Sequence, residues 1–110
     1  GQVDWQRSAE AIRNQVRALV PWPKTYTHWQ RAGGEPLRLI LEAVAVEPMG
    51  EASAASAVAG QVVEAAGERL VIATGAGHLR IDRIQPAGKR VLTAGELLRG
   101  YNIRPGERFA

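Results

Sequence analysis

Apolar residues recur at every second position of this chain in short runs, and glycine or proline ends each run. Leu37, Leu39 and Leu41 alternate with Arg38, Ile40 and Glu42, the period of a strand with one buried face. Residues 78–85 repeat the pattern, with Leu79 and Ile81 inward and Arg80 and Asp82 outward. Ile84 keeps an inward place only if one residue is extra, which predicts a β-bulge near Asp82-Arg83. Further short strands are expected at 26–29, 61–65 and 70–73. Ala66-Gly67-Glu68 reads as the hairpin turn between the last two. Arg31-Ala32-Gly33-Gly34-Glu35-Pro36 and Gly75-Ala76-Gly77 are further turns. Residues 101–104 are expected to return to the sheet before Pro105-Gly106 turns.

Two helices interrupt this pattern. Over 8–20, Ala9, Ile12, Val16 and Leu19 recur at helical spacing behind a Ser8 N-cap, with Glu10 in the first turn. Pro21-Trp22-Pro23 ends that helix, because proline donates no backbone hydrogen bond and bars helical angles before it. Thr93-Ala94-Gly95-Glu96 is a capping box for a short helix through Leu97 and Leu98 that stops at Gly100. The expected fold is mainly β: a small OB-like Greek-key barrel with an N-terminal helix and a short late helix. All 110 residues fit one domain, 1–110. The Ala/Ser/Gly-rich stretch at 50–59 is expected to be a flexible loop. Trp5 and Trp22 flank the first helix and are expected to be buried structural residues that clamp it to the barrel.

Much chemistry is excluded. The chain has no cysteine, hence no disulfide, thiolate metal site or thiol nucleophile. His28 and His78 have no carboxylate at metal-ligand spacing and read as rim residues. The glycines form neither a dinucleotide nor a Walker fingerprint. No apolar run approaches the ~20 residues of a membrane span. The first residues lack a signal peptide's basic and apolar regions, and without an initiator Met the chain reads as a processed product or an excised segment. Charge is uneven. Residues 1–68 carry six cations and eight acids, whereas residues 69–110 carry eight cations and three acids. A basic half suits a polyanion such as nucleic acid; a solvated arginine-rich surface is the plainer reading. The aromatic residues likewise suit either base stacking or core packing.

Asp4-Trp5, Ser8-Ala9 and Arg17-Ala18-Leu19 leading into Pro21-Trp22-Pro23 resemble the opening of the C-terminal domain of methionyl-tRNA formyltransferases. The resemblance continues, in order, through Val71-Ile72-Ala73-Thr74-Gly75, Leu79, Ile81, Ile84-Gln85-Pro86-Ala87-Gly88-Lys89-Arg90, Ala94, Leu97-Leu98 and Gly100. Two positions depart from that family's pattern. Lys24 stands where a small residue, commonly glycine, follows Pro-Trp-Pro, and Ala59-Gly60 stands where Pro-Gly is usual.

The resemblance implies a barrel joined to an N-terminal catalytic domain, which would move a formyl group from 10-formyltetrahydrofolate to initiator methionyl-tRNA. Its catalytic Asn-His-Asp set is not found in this chain, so the chain alone is expected to be inactive and to hold no cofactor. The implied partners are initiator methionyl-tRNA and the catalytic domain, with no membrane, in a cytoplasmic monomer. Lys89, Arg90, Arg83 and Arg80 are the first candidates for RNA contact, with Arg17 and Lys24 next. No acid lies between Arg83 and Glu96, and neither Arg17 nor Lys24 has an acid nearby in sequence. The alternative is a non-catalytic structural or interaction domain in a formyltransferase of another substrate, such as a nucleotide sugar, a folate or a carrier-bound peptide. That reading would leave the charges in scattered surface pairs. A free-standing small-molecule-binding barrel is a third, weaker class.

Overall fold

Hydrogen bonding runs almost unbroken around a barrel in this computed structural model, which describes residues 1–20, 22, 24–31, 33–48 and 57–110. Helix α1 (Ala9–Leu19) leads into β1 (Thr25–Gln30) and the long strand β2 (Leu37–Glu47). Then come β3 (Val62–Ala66), β4 (Arg69–Ala73), β5 (His78–Pro86), a two-residue β6 (Leu92–Thr93), α2 (Ala94–Gly100) and β7 (Arg108–Phe109). The strands are ordered β3-β4-β5-β2-β1-β7, all paired antiparallel, with β6 beside β5. The two edges meet. The Val62 N–H donates to the Glu107 carbonyl (2.8 Å) and the Phe109 N–H to the Gly60 carbonyl (2.7 Å). Near closure of this kind removes the unpaired strand edges that would otherwise invite aggregation.

Alternation fills the interior as the sequence predicts. Leu39, Leu41, Leu70, Ile72, Leu79, Ile81 and Ile84 are buried in one cluster with Ile12 and Val16 of α1 and Leu97 of α2. The phase slip is present on both paired strands. Leu41 opposes Ile84, Ala43 opposes Arg83 and Val44 opposes Ile81, so Glu42 and Asp82 are the extra residues. Both caps form: Ser8 Oγ accepts from the Ala11 N–H, and Thr93 with Glu96 completes the capping box. The β3–β4 hairpin has Gly67 at φ 61°, the positive angle that the first position of a two-residue loop requires.

Gly60 and Lys24 explain the two departures. Gly60 has φ 91°, and a Cβ there would lie 2.4 Å from the Phe109 carbonyl oxygen, so the glycine of the usual Pro-Gly is needed where β7 closes the barrel. Lys24 is the one non-glycine residue with positive φ among those described, at 71°. A left-handed backbone favours glycine. Lys24 holds it while its Nζ pairs with Glu42 Oε2 at 2.6 Å.

Three expectations need correction or limits. The chain rejoins the sheet at Arg108–Phe109, after the Pro105-Gly106 turn, and not at 101–104. Ile103 points into the core from irregular backbone. The two-ended tryptophan clamp is one-ended. Trp5 is only 5% exposed, whereas Trp22 is 82% exposed. Trp5 has a bonding partner inside: its Nε1 donates to Thr27 Oγ1 (2.9 Å), which in turn donates to the Ala110 carbonyl (3.1 Å). Its ring also meets Phe109 edge-on at 6.3 Å. Trp22 follows the end of α1, beyond the face that docks. The expected loop at 50–59 lies outside the described residues for 50–56.

Candidate nucleic-acid interface

The six cations singled out from the sequence separate by their neighbours. Arg80 stands outward on β5 opposite Ala45. Its guanidinium donates to both oxygens of Asp82, at 2.8 and 3.2 Å, and reaches Glu47 at 3.5 Å. The same Glu47 pairs with Arg69, which also bonds Glu64 at 3.1 Å. Hydrogen bonding to Asp82 raises the Arg80 pKa above its ordinary value, and bonding to Glu47 does the same for Arg69. This network holds Arg69 and Arg80 of the basic half with Glu47 and Glu64 of the acidic half, and Arg80 also with Asp82 of its own strand. Antiparallel pairing of β2 with β5 and of β3 with β4 brings them together.

Arg90 and Lys24 are also held. Arg90 donates to Glu96 Oε2 at 3.1 Å, so the acid that caps α2 also neutralises the cation six residues before it. Bonding from the Thr93 backbone N–H, then from Arg90, draws the Glu96 carboxyl down to about 2. Lys24, without an acid nearby in sequence, finds Glu42 on the bulge of β2.

Arg17, Arg83 and Lys89 are exposed and have no ion pair among the described residues. Arg17, Glu42, Ala43 and Val44 line one groove between α1 and β2, and Ala43 is the register partner of Arg83. The bulge thus gathers Arg17, Arg83 and the Lys24–Glu42 pair in one area. Lys89 sits in the β5–β6 turn, where its N–H donates to the Pro86 carbonyl (3.0 Å) and Gly88 supplies φ 77°. The Gln85 side chain donates to the Lys89 carbonyl at 2.7 Å. That anchors the turn and leaves the ammonium group in solvent.

Sequence reasoning passed over Arg38. It is exposed, without an ion pair among the described residues, and its guanidinium lies over the Tyr26 ring, 4.3 Å from the centroid. Alternation of Leu37 and Leu39 already turned Arg38 outward; its place beside Tyr26 depends on cross-strand register. His28 meets Tyr26 edge-on at 5.7 Å. Among the described residues no group of His, Asp and Glu is placed to hold a metal ion. Nor is any helix long and apolar enough to cross a membrane.

A family model described as "Formyl transferase, C-terminal domain" matches residues 1–102. Proteins named methionyl-tRNA formyltransferase are similar over nearly all of the chain. That of Magnetococcus marinus is 38% identical over 109 residues, covering 99% of this chain and 31% of the relative. Those of Heliobacterium modesticaldum and Parvibaculum lavamentivorans are 36% and 39% identical over 110 residues, covering 98% and 99% of this chain and 34% and 33% of each relative. The chain therefore spans about a third of the length of these curated relatives. With the family model covering all but its last eight residues, this chain belongs to the formyl transferase C-terminal domain family.

Proposed function

We propose that this domain binds tRNA and positions it in a methionyl-tRNA formyltransferase, holding the methionyl end of initiator tRNA towards a catalytic domain elsewhere in the protein. Its relatives are named for an enzyme acting on methionyl-tRNA. The observation that carries the reading to this domain is that Arg17, Arg83 and Lys89, three of the six cations singled out from the sequence, are exposed and have no acid partner among the described residues, as several further surface arginines such as Arg38 also lack one. Free cations can replace the counterions of a phosphate backbone, whereas a cation already held by a carboxylate must first lose that partner. These three make the contact, and Lys24, Arg80 and Arg90 serve mainly the fold. The domain's part in catalysis is positioning, which counts when it holds a large substrate in register with a distant reacting group. The formyl donor, 10-formyltetrahydrofolate, would bind the catalytic domain. The chain alone would transfer no formyl group, and the whole protein would act in the cytoplasm as a monomer.

Binding of initiator and elongator tRNA to this chain tests the proposal. Phosphate contacts carry little sequence information. Arg83→Ala/Lys89→Ala is expected to weaken both complexes by the same factor. Unaltered binding of both tRNAs would overturn it.

One observation favours a second reading. The pairs Lys24–Glu42, Arg80–Asp82 and Arg90–Glu96 are the scattered pairs expected of a structural domain in a formyltransferase with another substrate. A chain that binds no tRNA at low salt would establish that reading instead.

A further inference from the structure

The outward face of β1, β2 and β5 carries a second kind of surface. Thr25, Thr27 and Trp29 of β1 are buried, so Tyr26 and His28 point out. Register places His28 opposite Arg38, Tyr26 opposite Ile40, and Ile40 opposite Gln85. Two rings, a guanidinium plane and an isoleucine thus lie on one patch. Arg38 covers one side of the Tyr26 ring at 4.3 Å and is itself exposed. The guanidinium carbon sits over the ring while the residue as a whole remains exposed to solvent. Gln85 ties the Lys89 turn to the edge of this patch, and the Ala87 N–H donates to the Arg38 carbonyl at 3.0 Å. The one acid nearby on β2, Glu42, is engaged by Lys24.

A weakly hydrated guanidinium held over one ring and exposed to solvent fits a further flat π-system laid against it. The free cation at its edge fits a phosphate. An acidic protein would need the charge of Arg38 but not its stacked plane. We infer that this patch takes an unpaired RNA base, stacked on the solvent side of Arg38 over Tyr26, with Lys89 on a neighbouring phosphate. The inference rests on the RNA-binding reading and adds single-stranded character to it: bases inside a duplex offer no free face.

The test uses this chain with two RNA hexamers, one of adenylates and one with the same sugar-phosphate backbone but no bases. The adenylate hexamer should bind more tightly. Arg38→Lys keeps the charge and loses the plane. It should weaken adenylate binding roughly 5- to 150-fold, the range of one stacking contact. Binding of the abasic hexamer and the salt dependence should stay as in the parent. Tyr26→Leu, with its melting temperature checked beside the parent, should act in the same direction by unseating Arg38. Adenylate binding unaffected by Arg38→Lys, or weakened equally on both probes, would overturn the stacking site. A parent chain that binds both hexamers equally would do the same while leaving RNA contact intact. A chain that binds neither would overturn both readings.

Discussion

The β2–β5 end of the barrel and the face around Arg38, Arg83 and Lys89 carry the same residue types with opposite arrangements. At the first, Arg69 and Arg80 share Glu47 and have Glu64 and Asp82 besides. At the second, Arg38, Arg83 and Lys89 have no acid partner among the described residues, although Lys24 and Arg90 nearby are each held by one. Arginine content is therefore a poor guide to polyanion binding in this chain. What counts is which strand lies alongside, since β2 and β3 deliver acids to β5 and β4. The tryptophans around α1 divide in the same way, one bonded inside the barrel and one in solvent.

The largest expected effect sharpens that contrast. Trp5→Ala removes a buried indole and its bond to Thr27, and should cost about 3–5 kcal/mol of stability. Trp22→Ala removes a side chain in solvent and should change stability by no more than about 0.5 kcal/mol. Denaturant melts of both variants decide the matter; equal losses would mean that Trp22 is docked after all.

An intermediate effect is expected at Glu47, whose side chain is 16% exposed and meets two guanidinium groups. Glu47→Ala should destabilise the domain by about 1–2 kcal/mol, more than an isolated surface pair contributes. Loss of stability comparable to that from truncating Glu35, an exposed acid whose side chain has no ion pair among the described residues, would show that the network is ornamental.

The smallest effect is the pH response of α2. The Glu96 carboxyl lies at about 2, below its ordinary 4.5. Its contribution is complete above the ordinary value and is lost as pH falls through that value towards 2. Amide exchange of α2 should accelerate across that window, and Glu96→Gln should flatten the response. Arg90→Ala should move the loss to higher pH. A response unchanged by Arg90→Ala would place Arg90 in solvent and return it to the free set.

The fold was largely legible because alternation and capping are local. Leu39, Leu41, Leu79 and Ile81 announced the strands, and the misplaced phase of Ile84 announced the bulge. Thr93 and Glu96 announced α2. The site was legible only in part. Lys89 and Arg83 stood out because no acid lies between Arg83 and Glu96, but Lys24 stood out too for want of a local acid, and its partner comes from 18 residues away. Arg38 gave no signal because its value depends on the registry of β1 with β2. Trp22 was misread because a tryptophan next to a helix end looks the same whether the next segment folds back or away.

The central claim is that the cations without acid partners, not the held ones, meet RNA. Salt titration of tRNA binding by Arg83→Gln/Lys89→Gln beside Arg69→Gln/Arg80→Gln tests it most directly. Each lost phosphate contact lowers the magnitude of the log–log salt slope by about 0.7–0.9. The first pair should therefore reduce the slope by about 1.4–1.8, and the second should leave it unchanged. A slope unchanged in the first pair, or reduced as much in the second, would contradict the account.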